Sequence, residues 1–490
     1  MPKAAIIGGG VIGGGWAARF LLMGWDVAVF DPDPEAERKT AGMVANARAA
    51  LPGLMDVKLP AEGYLRHVST MSEAVAGADW IQESVPERLE LKRKVYQSMQ
   101  EHCRADAVIA SSTSGFTPSE LQGCATRPGQ ILVAHPFNPV YLLPVVEVVP
   151  SAQTAPEITA TAGEVLTAIG MAPKVIHREI EAHVADRLME ALWREALWLV
   201  HDGVATTGEI DDIMRFGFVL RWAQMGVFET FRVAGGEAGM RHFMAQFGPA
   251  LKWPWTKLMD VPEMDDALIE RIAAQSDAQA AGRSVRDLER IRDANLVAIM
   301  RALKWQGWGV GELLAAQDAR VAEATGAVRR FEDIADLARP IVTQEMAVPL
   351  DWADYNGHMT EGRYLHAFGE ATSRFMQIVG CDPDYVAAGH SFFTAETHIR
   401  HLDEARPGTP FRIETQCLSG QGRKIHLFHA MYAGDSLLAT CETMLVHVSL
   451  ETRRAVAPLP EVAEKLGAIA AAHAALPRPG GAGRAVGDPR

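Results

Sequence analysis

The segment AAIIGGGVIGGGWAARFLLMGWDVAVFD, near the start of the 490-residue chain, constrains the fold more than any other. Ala4 to Ile7 form an apolar strand, Gly8, Gly10 and Gly13 fit the pattern G-x-G-x-x-G, and Trp16 to Met23 continue as a helix. A strand, a glycine turn and a helix in this order let the backbone approach a pyrophosphate, which then rests on the positive helix end. Val11 and Ile12 supply the first N–H groups of that end. Asp31 closes the next strand, 18 residues after Gly13, where a carboxylate accepts hydrogen bonds from both ribose hydroxyls and repels a 2′-phosphate. No arginine follows it closely, so the expected cofactor is NAD, held by Gly8, Gly10, Val11, Ile12, Gly13 and Asp31.

The rhythm of short apolar runs and helices continues to about residue 150, with strands expected at Val27 to Phe30, Trp80 to Ser84, Val108 to Ser111, Ile131 to Ala134 and Val145 to Val149. This predicts a doubly wound parallel sheet, an α/β Rossmann domain over residues 1–180. Long helical periodicity takes over from about residue 182 and predicts an all-α domain for substrate binding and dimerisation over 181–327. A charged stretch, 328–340, reads as a linker with some helix. From 341 to 475 one helix, with Tyr364, Phe368, Ala371 and Phe375 on one face, is followed by alternating strand patterns, which predicts an α+β domain with a sheet wrapped around a helix. The Pro/Gly-rich tail 476–490 is expected without fixed structure.

Composition narrows the function. Hydrophobic content of 48% with 22% charged residues is that of a water-soluble enzyme, and no apolar run reaches bilayer length. A net charge of −14 opposes nucleic-acid binding and suits a cationic substrate. Five scattered cysteines lack metal-ligand spacing, and the chain enters a strand without a cleavable signal. No metal and a cytoplasmic location are therefore expected.

Chemistry is concentrated in HPFNPVYLLPVVEVV. His135 and Asn138 follow one strand, and Glu147 lies 12 residues after His135 in the next. An imidazole can take the proton of a secondary alcohol as hydride leaves its carbon, and a carboxylate partner fixes its tautomer. Ser114, in the hydroxyl-rich turn SSTSG, ends another strand at the edge where open α/β sheets bind ligands.

Taken together, the glycine turn, TSG, HPFNP and VEVV resemble the 3-hydroxyacyl-CoA dehydrogenase superfamily over residues 1 to about 325. The resemblance implies that His135 is the general base and Glu147 its orienting partner. It also implies that Ser114 and Asn138 contact the substrate oxygen or the nicotinamide end, and that Glu87 and Lys92, in SVPERLELK, line the cofactor and substrate cleft. The first long helix departs from the family pattern, since Asp186-Arg187 replaces an Asn-Arg pair. That acid either faces a cationic substrate or caps and salt-bridges within the helical domain. VADRL, FGFVLRWAQMG and KWPWTKLMDVP are similar to the L-carnitine 3-dehydrogenase branch, which implies a trimethylammonium substrate. Most of the helical aromatics, Trp193, Trp198, Phe216, Phe218, Trp222, Phe228, Phe231, Trp253 and Trp255, are expected in the core. A few, with Trp193, Trp222 and Phe231 foremost beside Asp186, would cage the cation. Arg187, Arg194 and Arg221 are open choices for its carboxylate.

PLDWADYNGHMTEGRYLHAFGEATSRF resembles hot-dog acyl-CoA thioesterases over about 340–460. The resemblance implies Asp354 as nucleophile or base, with Asn356 and His358 orienting or polarising, and Glu370 on the central helix as the other acid. Asp-Tyr-Asn-Gly is also a good turn sequence without chemistry. Both halves resemble dimeric families, so a homodimer is expected. Together the resemblances imply oxidation of L-carnitine to 3-dehydrocarnitine and hydrolysis of an acyl-CoA, betainyl-CoA. The alternative is a 3-hydroxyacyl-CoA dehydrogenase carrying a non-catalytic hot-dog dimerisation module.

Overall fold

The computed structural model describes residues 1–234, 237, 239–247, 256–257, 263 and 265–486. It comprises two compact units, Met1–Ala47 with Gly63–Ala315, and Arg48–Glu62 with Ala316–Arg490. No described helix is long and apolar enough to cross a membrane.

The first unit is built on an eight-stranded sheet. Its strands are β1 (Lys3–Ile7), β2 (Asp26–Phe30), β3 (Leu65–His67), β4 (Trp80–Glu83), β5 (Val108–Ser111), β6 (Ile131–Pro136), β7 (Val145–Val149) and β8 (Ala172–Val175), in the order β3-β2-β1-β4-β5-β6-β7-β8. The central strands are buried on both faces, as their unbroken apolar runs require. Ile81, Tyr96, Met99, Ile109 and Val133 form part of one core on this sheet. The sheet is not wholly parallel. Pairing is parallel from β3 through β6, but β7 runs antiparallel to β6 and β8 follows β7. The short link from β6 to β7 has no room for a crossover helix, so the chain must turn back on itself.

Arg19 shows how this unit satisfies a buried cation. Its guanidinium donates to the carbonyls of Ile169 (2.8 Å), Tyr141 (3.0 Å) and Gly170 (2.5 Å), and burial pulls its pKa down to about 10.

The helical part starts with Ala185–His201 and includes Val285–Gln306, whose first turn is fixed by a capping box between Ser284 and Asp287. Its aromatics are not mostly core. Trp193 is 57% exposed, Phe216 71% and Phe228 80%, alongside Leu188, Met189 and Leu192 on the first helix. The periodicity that marks an apolar face does not say whether the same chain covers it. Trp253 and Trp255 lie outside the described residues.

In the second unit β9 (Ile341–Ala347), β10 (His390–His401), β11 (Pro410–Ser419), β12 (Lys424–Ala433) and β13 (Ser436–Ser449) form an antiparallel sheet in the order β10-β13-β12-β11-β9. The helix Glu361–Ile378 packs on it through Tyr364, Phe368, Ala371 and Phe375, all buried, which is the hot-dog arrangement. Beneath that helix a buried polar ladder runs from Thr343 through Thr415 and His429 to Thr372. The expected linker is not free of the fold, because Val328, Phe331, Ile334 and Leu337 pack against this unit's core. The tail is also partly tied down, with the Gly483 amide donating to Glu442 at 2.7 Å.

Candidate active sites

The glycine turn assigns a different task to each glycine. Gly8 has φ +100°, and a Cβ there would lie 2.6 Å from the Ser84 carbonyl oxygen. A Cβ on Gly13 would lie 1.8 Å from the Gly8 oxygen, so this position sets the close packing of helix on strand. At Gly10 a Cβ would meet nothing within 4 Å. That open face stands before the helix Val11–Leu22, whose first turn has neither a side-chain cap nor an acidic residue, and Val11 there is exposed. The fit to a pyrophosphate follows from the empty space and the uncapped N–H groups. Asp31 anchors the turn by accepting from the Gly9 amide at 2.6 Å and the Asp33 amide at 2.8 Å.

Behind the cleft edge lies a buried carboxylate with every lone pair in use. Glu83 accepts from Lys92 Nζ (2.8 Å) and the Val85 amide (2.8 Å) on one oxygen, and from Tyr96 and Ser111 on the other. Lys92 is 1% exposed and also reaches Glu87 at 3.2 Å. It therefore does not line an open cleft, as its sequence position implied. It supports Glu87, which is half-exposed and bonds the Thr113 hydroxyl.

The β6–β7 reversal sets His135 opposite Glu147 in register. His135 Nδ1 and Glu147 Oε2 are 3.0 Å apart, both buried, while Glu147 Oε1 accepts from the Val184 and Ala185 amides at 3.0 and 3.1 Å. Those amides open the helix Ala185–His201, so its positive end also faces the carboxylate. Burial alone would raise the Glu147 pKa, but the bonds from His135 and the two amides outweigh it and hold the carboxyl below its ordinary range. The other imidazole nitrogen, Nε2, points toward Asp186 Oδ2 at 3.8 Å. Burial raises the Asp186 pKa against the pull of His135.

Ser114 and Asn138 are both exposed near this site's strand ends, and no side-chain bond ties either to the dyad. The proposed cage is not closed within the described residues. Trp222 pairs edge-on with Phe218, Phe231 stacks on Phe243 at 4.7 Å, and Trp193 has no ring contact among the described residues.

In the second unit Asp354 opens a tight turn. Its carboxylate accepts from the Asn356 amide at 2.8 Å, its own amide donates to the His358 carbonyl, and Gly357 sits at φ +78°. The turn leads into the helix Glu361–Ile378, with Asn356 exposed. His358 Nε2 lies 3.2 Å from both Arg406 Nε and Glu404 Oε1, so its tautomer selects one of the two. Glu370 lies elsewhere, exposed on the helix and lining a cleft of about 510 Å³ with Thr394, Thr397 and Thr443.

Known proteins resemble the chain along its whole length. Residues 3–180 match the 3-hydroxyacyl-CoA dehydrogenase NAD binding domain, 183–267 match the 3-hydroxyacyl-CoA dehydrogenase C-terminal domain, and 348–466 match the thioesterase-like superfamily. An L-carnitine dehydrogenase/betainyl-CoA thioesterase from Ruegeria pomeroyi is 63% identical, with all of each chain covered. The present chain belongs to the family of L-carnitine dehydrogenase/betainyl-CoA thioesterases. An L-carnitine dehydrogenase from Mesorhizobium japonicum is 60% identical over 64% of this chain and 87% of its own. Among solved structures, the NAD+-dependent dismutase FHMPC 5-dehydrogenase is 27% identical, with TM-score 0.51 over 62% of this chain and 99% of that chain.

NAD is the cofactor of this family's dehydrogenase half, and the open face at Gly10 fits it. Within the dehydrogenase half the structure adds a residue that sequence reasoning passed over. His183 is fully buried, its ring centre 5.5 Å from that of His135, and its Nε2 meets the Thr113 carbonyl at 3.2 Å. Burial and the neighbouring His135 keep its pKa low, so it stands as a neutral wall beside the base. The one signal in the sequence was a lone histidine just before the ADR start of the helix, which carries no pattern of its own.

Proposed function

We infer that the chain oxidises L-carnitine to 3-dehydrocarnitine with NAD at the His135 site, and hydrolyses betainyl-CoA to glycine betaine and CoA in its hot-dog half. The observation that carries the first reaction is the buried His135–Glu147 pair, with the second imidazole nitrogen directed at a further carboxylate, Asp186. NAD, when bound, supplies the hydride acceptor. His135 Nε2 takes the hydroxyl proton as the C3 hydride leaves, and Glu147 with the two helix amides stabilises the resulting imidazolium. Ser114 and Asn138 contact the substrate oxygen or the nicotinamide end. Asp186 faces the trimethylammonium group, with Trp193, Trp222 and Phe231 as the aromatic walls.

For the hydrolysis, Asp354 acts as base or nucleophile. As base, Asp354 takes a proton from water, whose oxygen adds to the thioester carbon as the C–S bond breaks, and the CoA thiolate takes the proton. As nucleophile, its carboxylate adds to that carbon with loss of CoA thiolate, and water then cleaves the acyl–Asp354 anhydride, freeing the acid, the carboxylate and the proton for the thiolate. The position of Asp354 before the central helix supports this reading, since the helix N-terminus can polarise the carbonyl. A second reading places the acid at Glu370, favoured by its exposure in the cleft between the helix and β10 and β13.

The exposed apolar face of the helical region supports a homodimer in which a second copy covers Leu188, Met189 and Leu192. Free thiols at all five cysteines fit the reducing cytoplasm. The deciding experiment is NADH formation from NAD with L-carnitine, D-carnitine or 3-hydroxybutyryl-CoA, run beside CoA release from betainyl-CoA. Turnover of L-carnitine and betainyl-CoA supports the reading. Turnover of only the hydroxyacyl-CoA would replace it with the fatty-acyl alternative.

A further inference from the structure

The second unit contains a cavity of about 670 Å³ separate from the Asp354 turn and from the Glu370 cleft, with no residue in common with either. Four parts of the chain wall it: the segment Arg48–Glu62, the end of the helix Val310–Thr325 with the stretch after it, the strand β9, and the second half of the helix Glu361–Ile378. The first, second and fourth contribute the cations Lys58, Arg329 and Arg374, while Asp56 and Glu345 are the carboxylates of the lining.

The cations differ in how they are satisfied. Lys58 is paired with Glu345 at 2.8 Å. Arg374 donates to the neutral Gln377 amide oxygen and has no ion pair among the described residues. Arg329 Nε is shut off from water with no acceptor. The nearby Asp333 carboxylate is taken up by the backbone amides of Arg329 and Arg330, with only a 3.4 Å contact to the Arg330 side chain. Burial, and then the positive charge of Arg329, hold the Arg374 pKa below its usual value, while Glu370, Asp318 and Asp56 attract it without forming an ion pair. Two guanidiniums thus share a partly buried cavity and repel each other, with one donor unused. An unpaired buried donor is costly, and so is a pair of like charges held without a direct ion pair. Guanidinium groups match phosphate oxygens two at a time, and a phosphate would relieve both costs at once.

We propose that this cavity binds a phosphate-bearing anion, a diphosphate or nucleotide phosphate group, between Arg329 and Arg374. The volume admits a nucleotide as well as an inorganic ion. One ligand chemistry has two sources here: the nucleotide end of a CoA thioester, or a free nucleotide acting as an effector. The proposal stands apart from the hydrolysis reading, because it requires only the anion.

The test uses the full chain saturated with NAD, so that the Gly8–Gly13 turn is already filled. Calorimetric titration with inorganic pyrophosphate, adenosine 3′,5′-bisphosphate, CoA and dephospho-CoA compares the parent with Arg329→Gln and Arg374→Gln. Loss of one charge-assisted contact is expected to weaken binding about tenfold or more in each variant, with L-carnitine oxidation unchanged as the check on folding. Arg374→Lys, which keeps the charge and loses the fork, is expected to fall between parent and Gln variant. If CoA affinity and the KM for the thioester follow the variants, the source is the CoA nucleotide. If pyrophosphate or bisphosphate binding follows them while that KM stays constant, the source is a free nucleotide. Absence of binding by all four probes, or binding indifferent to both arginines, would overturn the proposal.

Discussion

His135 Nδ1 lies 3.0 Å from Glu147 Oε2 because the two residues face each other across the antiparallel joint between β6 and β7. Backbone register sets the dyad, and two helix amides fix the carboxylate from the other side. His135→Asn is therefore expected to leave NAD affinity intact and lower kcat for L-carnitine by about 100- to 10,000-fold. Stopped-flow NADH formation with separately titrated NAD checks both halves of the statement. Glu147→Gln is expected to lose rate in the same direction, since the neutral amide cannot stabilise imidazolium.

The glycines separate folding from binding. Gly13→Ala forces a Cβ against the Gly8 oxygen and is expected to cost about 1–3 kcal/mol or more of stability together with NAD binding. Gly10→Ala meets open space and is expected to keep the parent melting temperature while weakening NAD. Calorimetry with and without NAD distinguishes the two; equal loss of stability in both would contradict the assignment.

Asp354 and Glu370 compete for the hydrolytic role. Asp354→Asn is expected to lower betainyl-CoA hydrolysis at least 100-fold, while Glu370→Gln stays within a few-fold of the parent. The reverse ranking would move the acid to the cleft between the helix and β10. L-carnitine oxidation, measured in the same samples, is expected to be unchanged by either.

His429 predicts a pH dependence. Burial pulls its pKa to about 3, and its two ring nitrogens are engaged by Thr372 and Thr415. The folded state keeps it neutral, whereas the unfolded chain takes up a proton below about pH 6.5. Stability tied to this residue is complete above that pH and is lost as pH falls toward 3, by about 1.4 kcal/mol per unit. His183, His447 and His473 are shifted in the same direction. Urea unfolding of the parent and of His429→Gln between pH 7 and pH 4 is expected to show a slope smaller by one proton in the variant.

Much of this was legible in the sequence, for physical reasons. The glycine turn and the buried strands are local patterns, and the helix bearing Tyr364, Phe368, Ala371 and Phe375 has one continuous apolar face. β3 and β8 escaped notice because LRH is short and polar and APKV is short and broken by a proline and a lysine. The reversal of β7 was not visible because VVEVV reads alike in either direction of pairing. His183 and the support of Glu87 by Lys92 depend on residues far apart in the chain. The exposure of Trp193, Phe216 and Phe228 was missed because an apolar periodicity does not name its partner.

The excursion of Arg48–Glu62 makes the fusion interlaced. The chain crosses between its two compact units after Ala47, after Glu62 and again after Ala315. Met55, Val57 and Leu59, encoded inside the dinucleotide-binding half, find their apolar partners in Val321 and Ala322. A single cut between the domains would leave each product with a wound, one missing a patch of its wall and the other carrying an orphaned greasy loop.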